Sequence, residues 1–558
     1  MNGTWFGWGA VAVALALSGV VNGSIRATIL VALAGAALVG PRRWRVIALV
    51  AIAAIGWGGW RVAAIDRAAA PLGSRTLKGE AVELRQMLPA HRAGEPLPDG
   101  ARAVVGGRTV VVSIGRYART TPALQRGSVA AVDGRLIPLT AAPSDRRLAR
   151  QGVAGRVMLN AARDTGRRRG GALGLLDSVA RNTADAAARA GGDRAGPLLV
   201  GMALGIAEAI TPADRDALRA AGLWHLAAAS GGNVALVIAL CFAIGWIAGL
   251  PDRARVIVAI FAVGAYVPLA GGGPSIQRAG VMGIAALGAM FVGRTHRTAD
   301  ALGLAAAATL LRDPRAWLDV GWQLSFVATA ALLLAVQPLG RRLHGAGCPR
   351  RLALPLATTV IAATATAPIM LLTFGSVSAA GLLTNIAAAP LAAITVWSGA
   401  LTALATAISP ALAYGVALPG VAGAHATLWL AAWGASRSHA QLDGHAALLV
   451  CVAVAAVAVL RPRRALVWAL VASVALLFAV DRPRPPGQPR LVVLDIGQGS
   501  AALLQAGGEA ILVDAGPADG NVVAQLRRAG VRRLRALILS HPAADHDDMR
   551  RKPVERIE

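Results

Sequence analysis

Residues 222–237 have the sequence GLWHLAAASGGNVALV, in which polar side chains and two adjacent glycines interrupt an apolar run. The run opens a long series of hydrophobic segments that fills the middle of the chain. Lipid supplies no hydrogen bonds, so polar side chains and loosened backbone at that depth need surrounding protein or a water-filled cavity. The stretch therefore predicts either a wall of a path through a membrane or a turn in which Ser230 or Asn233 caps the following helix.

The composition is that of a protein that spans a membrane many times, and it excludes an ordinary soluble enzyme. Of the 558 residues, 56% are hydrophobic and only 15% are charged. The net charge of +27 comes almost entirely from arginine. Two explanations stay open, because cytoplasmic loops collect arginine and basic surfaces attract polyanions such as nucleic acid. The three cysteines form no CxxC pair, which favours neither a disulfide framework nor a zinc site.

Residues 1–65 are predicted to form N-terminal transmembrane helices. The apolar runs 5–22, 25–40 and 44–62 are each close to the ~20 residues that span a bilayer. The first run lacks a basic leading region and a cleavage site, so we expect a retained membrane helix. The arginine-rich loop 41–45 is expected on the cytoplasmic side, which places the following domain outside.

Residues 66–168 have the pattern of a small extracytoplasmic β domain. Short alternating apolar runs are separated by Gly, Pro and Asp, which is typical of an all-β barrel or sandwich. The runs are interleaved with arginines, among them Arg126, and with a tyrosine. A barrel that binds single strands needs such cations and a stacking ring, whereas the alternative is a solvated surface of an arginine-rich protein. The candidate DNA-binding residues are Arg108, Arg116, Tyr117 and Arg119.

Residues 169–221 predict amphipathic, interfacial helices that lead into a bundle. Within them Thr211 is placed to cap a helix with Pro212 at its first position and Asp214 at its third. Residues 222–480 then hold successive apolar runs joined by basic connectors, which indicates a multi-helix membrane domain.

Three further segments of this multi-helix domain carry polar groups. They are PSIQRAGVM at 274–282, DVGWQLSF at 319–326 and SAAGLLTNIAAAPL at 378–391. A central Arg or Asp costs about 2.5–3.5 kcal/mol on insertion scales, so it needs a partner or water. Arg278 and Asp319 therefore predict either a structural ion pair or a hydrophilic path lined by both. The candidate path residues are His225, Ser230, Gly231, Gly232, Asn233, Ser275, Arg278, Asp319, Gln323, Ser325 and Asn385.

A Pro-rich linker at 481–489 leads to a final domain at 490–558. Its pattern predicts a β-β-α-β opening, and His541, Asp545 and His546 follow the last strand in a loop. Imidazole and carboxylate groups this close together can converge on one divalent metal, zinc or manganese, and leave a position for water. The alternative is a set of polar residues in an exposed tail.

The four polar blocks together resemble the ComEC family of competence proteins, which carry transforming DNA as a single strand across the bacterial inner membrane. LWHLAAASGGNVAL at 223–236 is similar to the family's G-L-x-H-L-x-A-x-S-G-x-x-V signature. The blocks at 274–282, 319–326 and 378–391 are similar to three further family elements, in the same order. The resemblance covers nearly the full length of the chain.

The resemblance implies a polytopic α-helical membrane protein with an inserted OB-like β-barrel and a partial αββα metallo-β-lactamase-like domain, both extracytoplasmic. It implies that residues 222–480 form the inner-membrane channel for single-stranded DNA in natural transformation. The implied partners are the strand, the lipid bilayer, and the DNA receptor and motor proteins of a competence system. Asp495, Gln498 and Asp514 correspond to the lactamase-like motif. The alternatives are a membrane-anchored metal-dependent nuclease and a truncated remnant without function.

The C-terminal domain departs from the family pattern. Ala543 stands in the middle of the metal motif, Ser500 replaces the acidic residue after G-Q-G, and the chain ends twelve residues after His546. A domain of about 70 residues has a marginal core even when complete. We therefore expect a truncated domain that is inactive as a nuclease and holds at most one metal ion weakly.

Overall fold

A computed structural model describes most of the chain between Arg42 and Ser540. The described residues are 13, 42–88, 100–114, 123–140, 142–227, 231–271, 274–292, 298–374, 376–378, 380–436, 441–443, 488–494, 501–506, 509–515, 522, 525–526, 529, 531 and 533–540. Apart from residue 13, the predicted helices 5–22 and 25–40 lie outside this set. So does the tail that carries His541, Asp545 and His546.

In the described part of the chain, five helices are long and apolar enough to cross a membrane. Their apolar segments are Leu49–Ala68, Val320–Gly345, Arg350–Phe374, Gly381–Ala405 and Pro410–Ala435. The first belongs to helix α1, Arg42–Ala68, which stops before Pro71 and Gly73, two residues that disfavour helix continuation. The prediction of a mainly helical chain with several membrane-length segments is confirmed.

The β domain is a closed five-stranded barrel. Its strands are β1 Arg75–Leu84, β2 Ala101–Val105, β3 Arg108–Ile114, β4 Ser128–Ile137 and β5 Arg156–Arg168. The order around the barrel is β1-β2-β3-β5-β4, with β4 closing onto β1; β3 and β5 are parallel and the other pairs are antiparallel. Alternate residues of β4 point into the core, as the period of two in the sequence predicts.

A short helix, α2 at Pro143–Arg150, connects β4 to β5 and was not predicted. It packs against α1. The carboxylate of Asp145 orients it, because that group accepts hydrogen bonds from the Thr140 amide at 2.9 Å and hydroxyl at 2.7 Å. These bonds, above all the one from the amide, hold the pKa of Asp145 below its usual range.

The remaining helices form a bundle whose members follow one another along the chain. They are α3 Gly171–Leu204, α4 Pro212–Ala220, α5 Trp224–Ala227, α6 Gly231–Ile247, α7 Asp252–Leu269, α8 Pro274–Phe291, α9 Thr298–Arg312, α10 Val320–Gly345, α11 Arg350–Phe374, α12 Gly381–Ala405 and α13 Pro410–Ala435. The largest core of this bundle lies where α3 packs against α12 and α13.

Helix α3 bends sharply at Gly192, whose backbone has φ 58° and ψ −155°. Its second half is buried in the bundle core, where Leu198, Leu199 and Met202 have no exposed surface. This burial differs from the interfacial helix expected for 169–221, because a helix at a membrane surface keeps one face in water. The predicted cap of α4 is confirmed, since the Asp214 amide donates to the Thr211 hydroxyl at 3.2 Å.

Strands β6 Ser376–Ser378 and β7 Gln441–Asp443 form a two-stranded sheet. The C-terminal residues form a separate four-stranded sheet of β8 Arg490–Val493, β9 Ala502–Ala506, β10 Glu509–Val513 and β11 Ala536–Ile538. The strand order in this sheet is β11-β10-β9-β8. Leu503, Leu512 and Leu526 are fully buried beneath the sheet. The predicted strands over EAILV and ALI are present, but the stretch predicted as one strand, LVVLDIGQGSAALLQ, contains two antiparallel strands, β8 and β9.

Candidate functional site

Arg278, on the apolar helix α8, is a deeply buried charged side chain, with 2% of its surface exposed. Its guanidinium carbon lies 4.7 Å from the centre of the Phe326 ring, a distance typical of a cation–π contact. Phe326 in turn stacks on Trp322, with ring centres 4.0 Å apart. The indole of Trp322 donates to the hydroxyl of Thr309 at 3.1 Å. Two aromatic rings of α10 and a hydroxyl of α9 thus fix one arginine of α8.

Asp319, at the start of α10, provides a negative charge that attracts this arginine. Its carboxylate caps α10 by accepting a hydrogen bond from the Trp322 amide at 3.1 Å. It also attracts two cations electrostatically: Arg278 of α8 and Arg102 of strand β2. The carboxylate of Asp319 at the start of α10 therefore attracts one arginine of the barrel and one arginine of the bundle.

The other predicted residues of this block lie close by. Gln323 follows Asp319 by one helical turn, and its amide nitrogen donates to the Trp317 carbonyl at 3.0 Å. Ser325 is half-buried on the same helix, and Ser275 is half-buried one turn before Arg278 on α8. We name Arg278, Asp319, Gln323 and Phe326 the arginine cluster. The structure thus brings together polar residues that the sequence predicted from two separate blocks.

The 222–237 stretch forms the short helix α5 and the start of α6, and residues 228–230, which include Ser230, lie outside the described residues. His225 is exposed, and its Nδ1 lies 3.0 Å from the Gly222 carbonyl oxygen. Gly231 and Gly232 are exposed at the start of α6. A Cβ on Gly231 would lie 3.5 Å from the side chain of Ala279. The start of α6 therefore lies beside the residue that follows Arg278.

Asn233 binds the end of another helix instead of capping its own. Its amide nitrogen donates to the Met202 carbonyl at 2.6 Å, and the hydroxyl of Tyr266 on α7 donates to the Ala203 carbonyl at 2.7 Å. The last carbonyls of a helix have no partner within the helix, so both side chains close the end of α3. Sequence reasoning missed Tyr266, although a tyrosine in an apolar helix usually has a buried partner for its hydroxyl.

Tyr266→Phe should destabilise the bundle by about 1–3 kcal/mol, because it leaves a buried carbonyl without its donor. Thermal unfolding of the purified chain measures this change. Tyr414→Phe is the matched control, since Tyr414 is 43% exposed. Equal unfolding temperatures for the two variants would contradict the proposed closure of α3.

The block at 378–391 supports the turn that precedes His225. The Ser378 hydroxyl donates to the Ala220 carbonyl at 2.8 Å, and the Thr384 hydroxyl donates to the Ala221 carbonyl at 2.7 Å. Asn385 is half-buried in the first turns of the same helix, α12. Asn385 is therefore placed on the helix end that fixes this turn.

Among the predicted DNA-binding residues, the structure describes Arg108, while Arg116, Tyr117 and Arg119 lie outside the described residues. The guanidinium group of Arg108 donates to the carbonyl oxygens of Arg67, Ala68 and Ala70 at 2.6–3.2 Å. These contacts satisfy carbonyls at the end of α1 and attach the barrel to that helix. DNA binding by Arg108 stays a prediction.

Arg126 joins the barrel to the bundle instead of facing open solvent. Its Nε lies 2.9 Å from the buried carboxylate of Asp177 on α3, and its other nitrogens donate to the Leu269 and Pro268 carbonyls at 2.8 and 2.7 Å. Arg169 binds the second oxygen of Asp177 at 2.6 Å. Burial lowers the pKa of Arg126, and the charge of Asp177 opposes that shift. We name Arg126, Arg169 and Asp177 the barrel joint.

In the C-terminal domain, Asp514 ends strand β10 with the left-handed backbone angle φ 55°. Its two carboxylate oxygens accept hydrogen bonds from the amide and hydroxyl of Ser540 at 2.8 and 2.9 Å. These bonds fix the residue immediately before His541. Asp495, Gln498 and the three predicted metal ligands lie outside the described residues. Within the described ranges, no group of three acidic, histidine or cysteine side chains fits a metal ion.

The comparison with protein families decides the classification. The family model described as Competence protein matches residues 202–480, which is half of the chain. The chain belongs to the competence protein family. The matched region contains the arginine cluster, the start of α6 at Gly231, and the closure of α3 by Asn233 and Tyr266. A second family model, the metallo-beta-lactamase superfamily, matches residues 494–547.

Two curated relatives agree with this family. Competence protein ComA of Neisseria gonorrhoeae is 31% identical over 392 residues, which is 66% of this chain and 54% of ComA. ComE operon protein 3 of Bacillus subtilis (strain 168) is 32% identical over 139 residues, which is 24% of this chain and 18% of that protein. The chain therefore spans about half the length of the first relative. No solved structure matches the chain.

Proposed function

We propose that this competence-family chain is an inner-membrane channel that moves single-stranded DNA into the cytoplasm during natural transformation. The observation that carries the proposal is the buried Arg278, held in the family-matched region by Phe326 and facing the charge of Asp319. A buried arginine in an apolar helix is costly and marks a path or a partner. DNA phosphates are suitable partners, because cations that replace released counterions favour their binding.

The barrel is proposed to be an OB-like domain that receives the strand outside the membrane. Its support is the five-stranded order β1-β2-β3-β5-β4 with parallel β3 and β5. In OB-folds, strands 2 and 3 and the neighbouring loops bind oligonucleotides. Arg102 lies on β2 and is attracted by Asp319 at the start of α10. A strand leaving this face would therefore meet the arginine cluster next.

The arginine-rich start of α1 supports a cytoplasmic origin for that helix and an extracytoplasmic position for the barrel. The C-terminal domain is proposed to lie on the same side as the barrel, since RPRR at 461–464 favours a cytoplasmic connector before the last apolar run. The partners in this arrangement are the bilayer, a DNA receptor outside and a motor protein inside.

The decisive experiment measures uptake of labelled double-stranded DNA in a competent strain that lacks its own channel gene. We expect this chain, supplied from a plasmid, to restore import of one strand. Membrane fractions probed with an antibody must show the chain at normal abundance. No import with the chain present in the membrane would contradict the proposed function and favour the remnant without activity.

A second candidate function is metal-dependent hydrolysis by the C-terminal domain, which the superfamily match at 494–547 favours. The ligands would be His541, Asp545 and His546, which follow the Ser540 held by Asp514. A bound zinc or manganese ion would supply an activated water. The described residues add no free ligand to this set, because both oxygens of Asp514 already accept hydrogen bonds from Ser540.

Metal analysis of the purified full chain tests this candidate. We expect at most one zinc or manganese ion per chain, and its loss in the variant His541→Ala/His546→Ala, because imidazoles are the strongest ligands of the set. His344→Ala/His425→Ala is the matched control, since both residues lie in the helical bundle. Equal metal content in the two double variants would contradict a site at the C-terminal loop.

A further inference from the structure

Helix α2 carries a cluster of positive charge that no function above uses. Arg146, Arg147 and Arg150 are exposed on its outer side, while Asp145 points inward. Asp145 is held by Arg156 at 2.9 Å and by Thr140. Within the described part of the chain, no acidic side chain pairs with the three outer arginines. A solvated ligand of opposite charge therefore has free access to them.

The first membrane-length helix fixes the height of α2 relative to a bilayer. Helix α2 packs against α1, and Arg108 ties the barrel to the last residues of α1. The membrane-length apolar segment of this helix, Leu49–Ala68, ends at the same residues. A segment of ~20 apolar residues spans the hydrocarbon core of a bilayer, so its end lies at the level of the lipid headgroups.

The other end of α2 faces the barrel. Gln151, which ends α2, accepts a hydrogen bond from Arg102 of strand β2. Asp319, which caps α10 just before its apolar segment begins at Val320, also attracts Arg102. The packing of α2 on α1, whose apolar segment ends at Ala68, places the outer arginines of α2 beside the headgroups.

We propose that α2 is an interfacial anchor whose Arg146, Arg147 and Arg150 bind the phosphates of anionic lipids in the leaflet that faces the barrel. The guanidinium group suits this role, because it is always charged and binds phosphate oxygens in pairs. The anchor fixes the tilt of the barrel over the bundle. It rests on the membrane placement in the proposed function, but it does not depend on DNA transport.

The test uses the full chain in nanodiscs, with Cys241, Cys348 and Cys451 changed to Ala. A bimane probe is placed on the exposed Ala142 through Ala142→Cys. Its quenching by brominated phosphatidylglycerol is compared with that by brominated phosphatidylcholine. An arginine near an anionic surface gives about a fivefold preference. We therefore expect a clear preference for the anionic lipid at low salt and a loss of most of it at high salt.

The variant Arg146→Gln/Arg147→Gln/Arg150→Gln should abolish this preference, and replacement of the same residues by Lys should retain most of it. Lys78→Gln/Arg163→Gln/Arg167→Gln is the matched control, because it removes three exposed charges elsewhere on the barrel. A similar loss in this control would overturn the proposal, because the preference would then report net charge. So would a probe that neither lipid quenches, since α2 would then lie away from the bilayer.

A labelled oligonucleotide, added to the same variants in neutral nanodiscs, separates lipid from nucleic acid. We expect the α2 variant to bind it within about twofold of the unmodified chain, well below the roughly fivefold effect of one phosphate-binding arginine. A selective loss of oligonucleotide binding with unchanged lipid preference would overturn the anchor and assign α2 to the strand. If the unmodified chain binds no oligonucleotide but retains the lipid preference, the proposed transport fails and the anchor stands.

Discussion

Arg278→Met should reduce DNA import by roughly a hundredfold or more while the chain still reaches the membrane. The side chain is buried against Phe326 and attracted by Asp319, so its loss removes one of the two cations that this carboxylate attracts. In the proposed path the remaining carboxylate would also repel the phosphates of the strand. Import of labelled DNA, normalised to the amount of chain in the membrane, measures the effect.

Two further variants distinguish a path from a structural ion pair, the alternatives that the sequence left open. Arg278→Met/Asp319→Asn removes both charges, so it relieves the cost of an unbalanced pair. If the pair is only structural, this double variant should recover import; if the cation contacts the strand, import should stay low. Arg278→Lys keeps the charge but loses the planar group that lies over Phe326, and we expect intermediate import. Normal import in Arg278→Met would contradict the proposed path.

Gly127→Ala should detach the barrel from the bundle and is expected to cost about 3–5 kcal/mol. Gly127 has φ +76°, which L-residues adopt at a cost, and a Cβ there would lie 2.8 Å from the carboxylate carbon of Asp177. The new methyl group must displace that carboxylate from Arg126 and Arg169. Two buried arginines would then lose their shared partner. We expect a lower unfolding temperature and faster proteolysis between β5 and α3.

Gly166→Ala separates the collision from the backbone strain. Gly166 has φ +74° in the same barrel, but nothing lies within 4 Å of its Cβ position. This control should therefore show only the strain of a left-handed residue, about 1–2 kcal/mol. Asp177→Asn should resemble Gly127→Ala in its effect, since it keeps the shape and removes the charge. Equal behaviour of Gly127→Ala and Gly166→Ala would show that the barrel joint does not hold the two parts together.

Patterns with a strict period were predictable from the sequence. The alternation in SVAAVDGRLI places alternate residues inside the barrel, and the Thr211–Asp214 spacing gives the cap of α4. Strand β2 was missed, because ARAVV is short and has no alternation of polar and apolar residues. Helix α2 was missed because it has only eight residues and they are mostly polar.

The roles of individual polar residues were less predictable, since they depend on contacts between distant parts of the chain. Arg126 was grouped with candidate DNA-binding arginines, yet it meets carbonyls more than 140 positions away. Asn233 was weighed as a path residue or a cap of its own helix, but it caps α3. Local spacing carries no signal for either contact. The attraction between Arg278 and Asp319 follows the expectation that a charge in an apolar helix needs a partner, while their role in a path stays a prediction.

The barrel joint has a mechanical consequence when it is considered together with the closure of α3. Arg126 links α3, through Asp177, to the end of α7, and Tyr266 links α7 back to the other end of α3. These three connections join the barrel, α3 and α7 to one another, so a movement of the barrel relative to either helix is opposed by more than one contact. In the proposed transport, a strand pulled through the barrel would transmit its load into the first helices of the bundle, so we expect the barrel to stay fixed on the bundle rather than to move as a hinged lid.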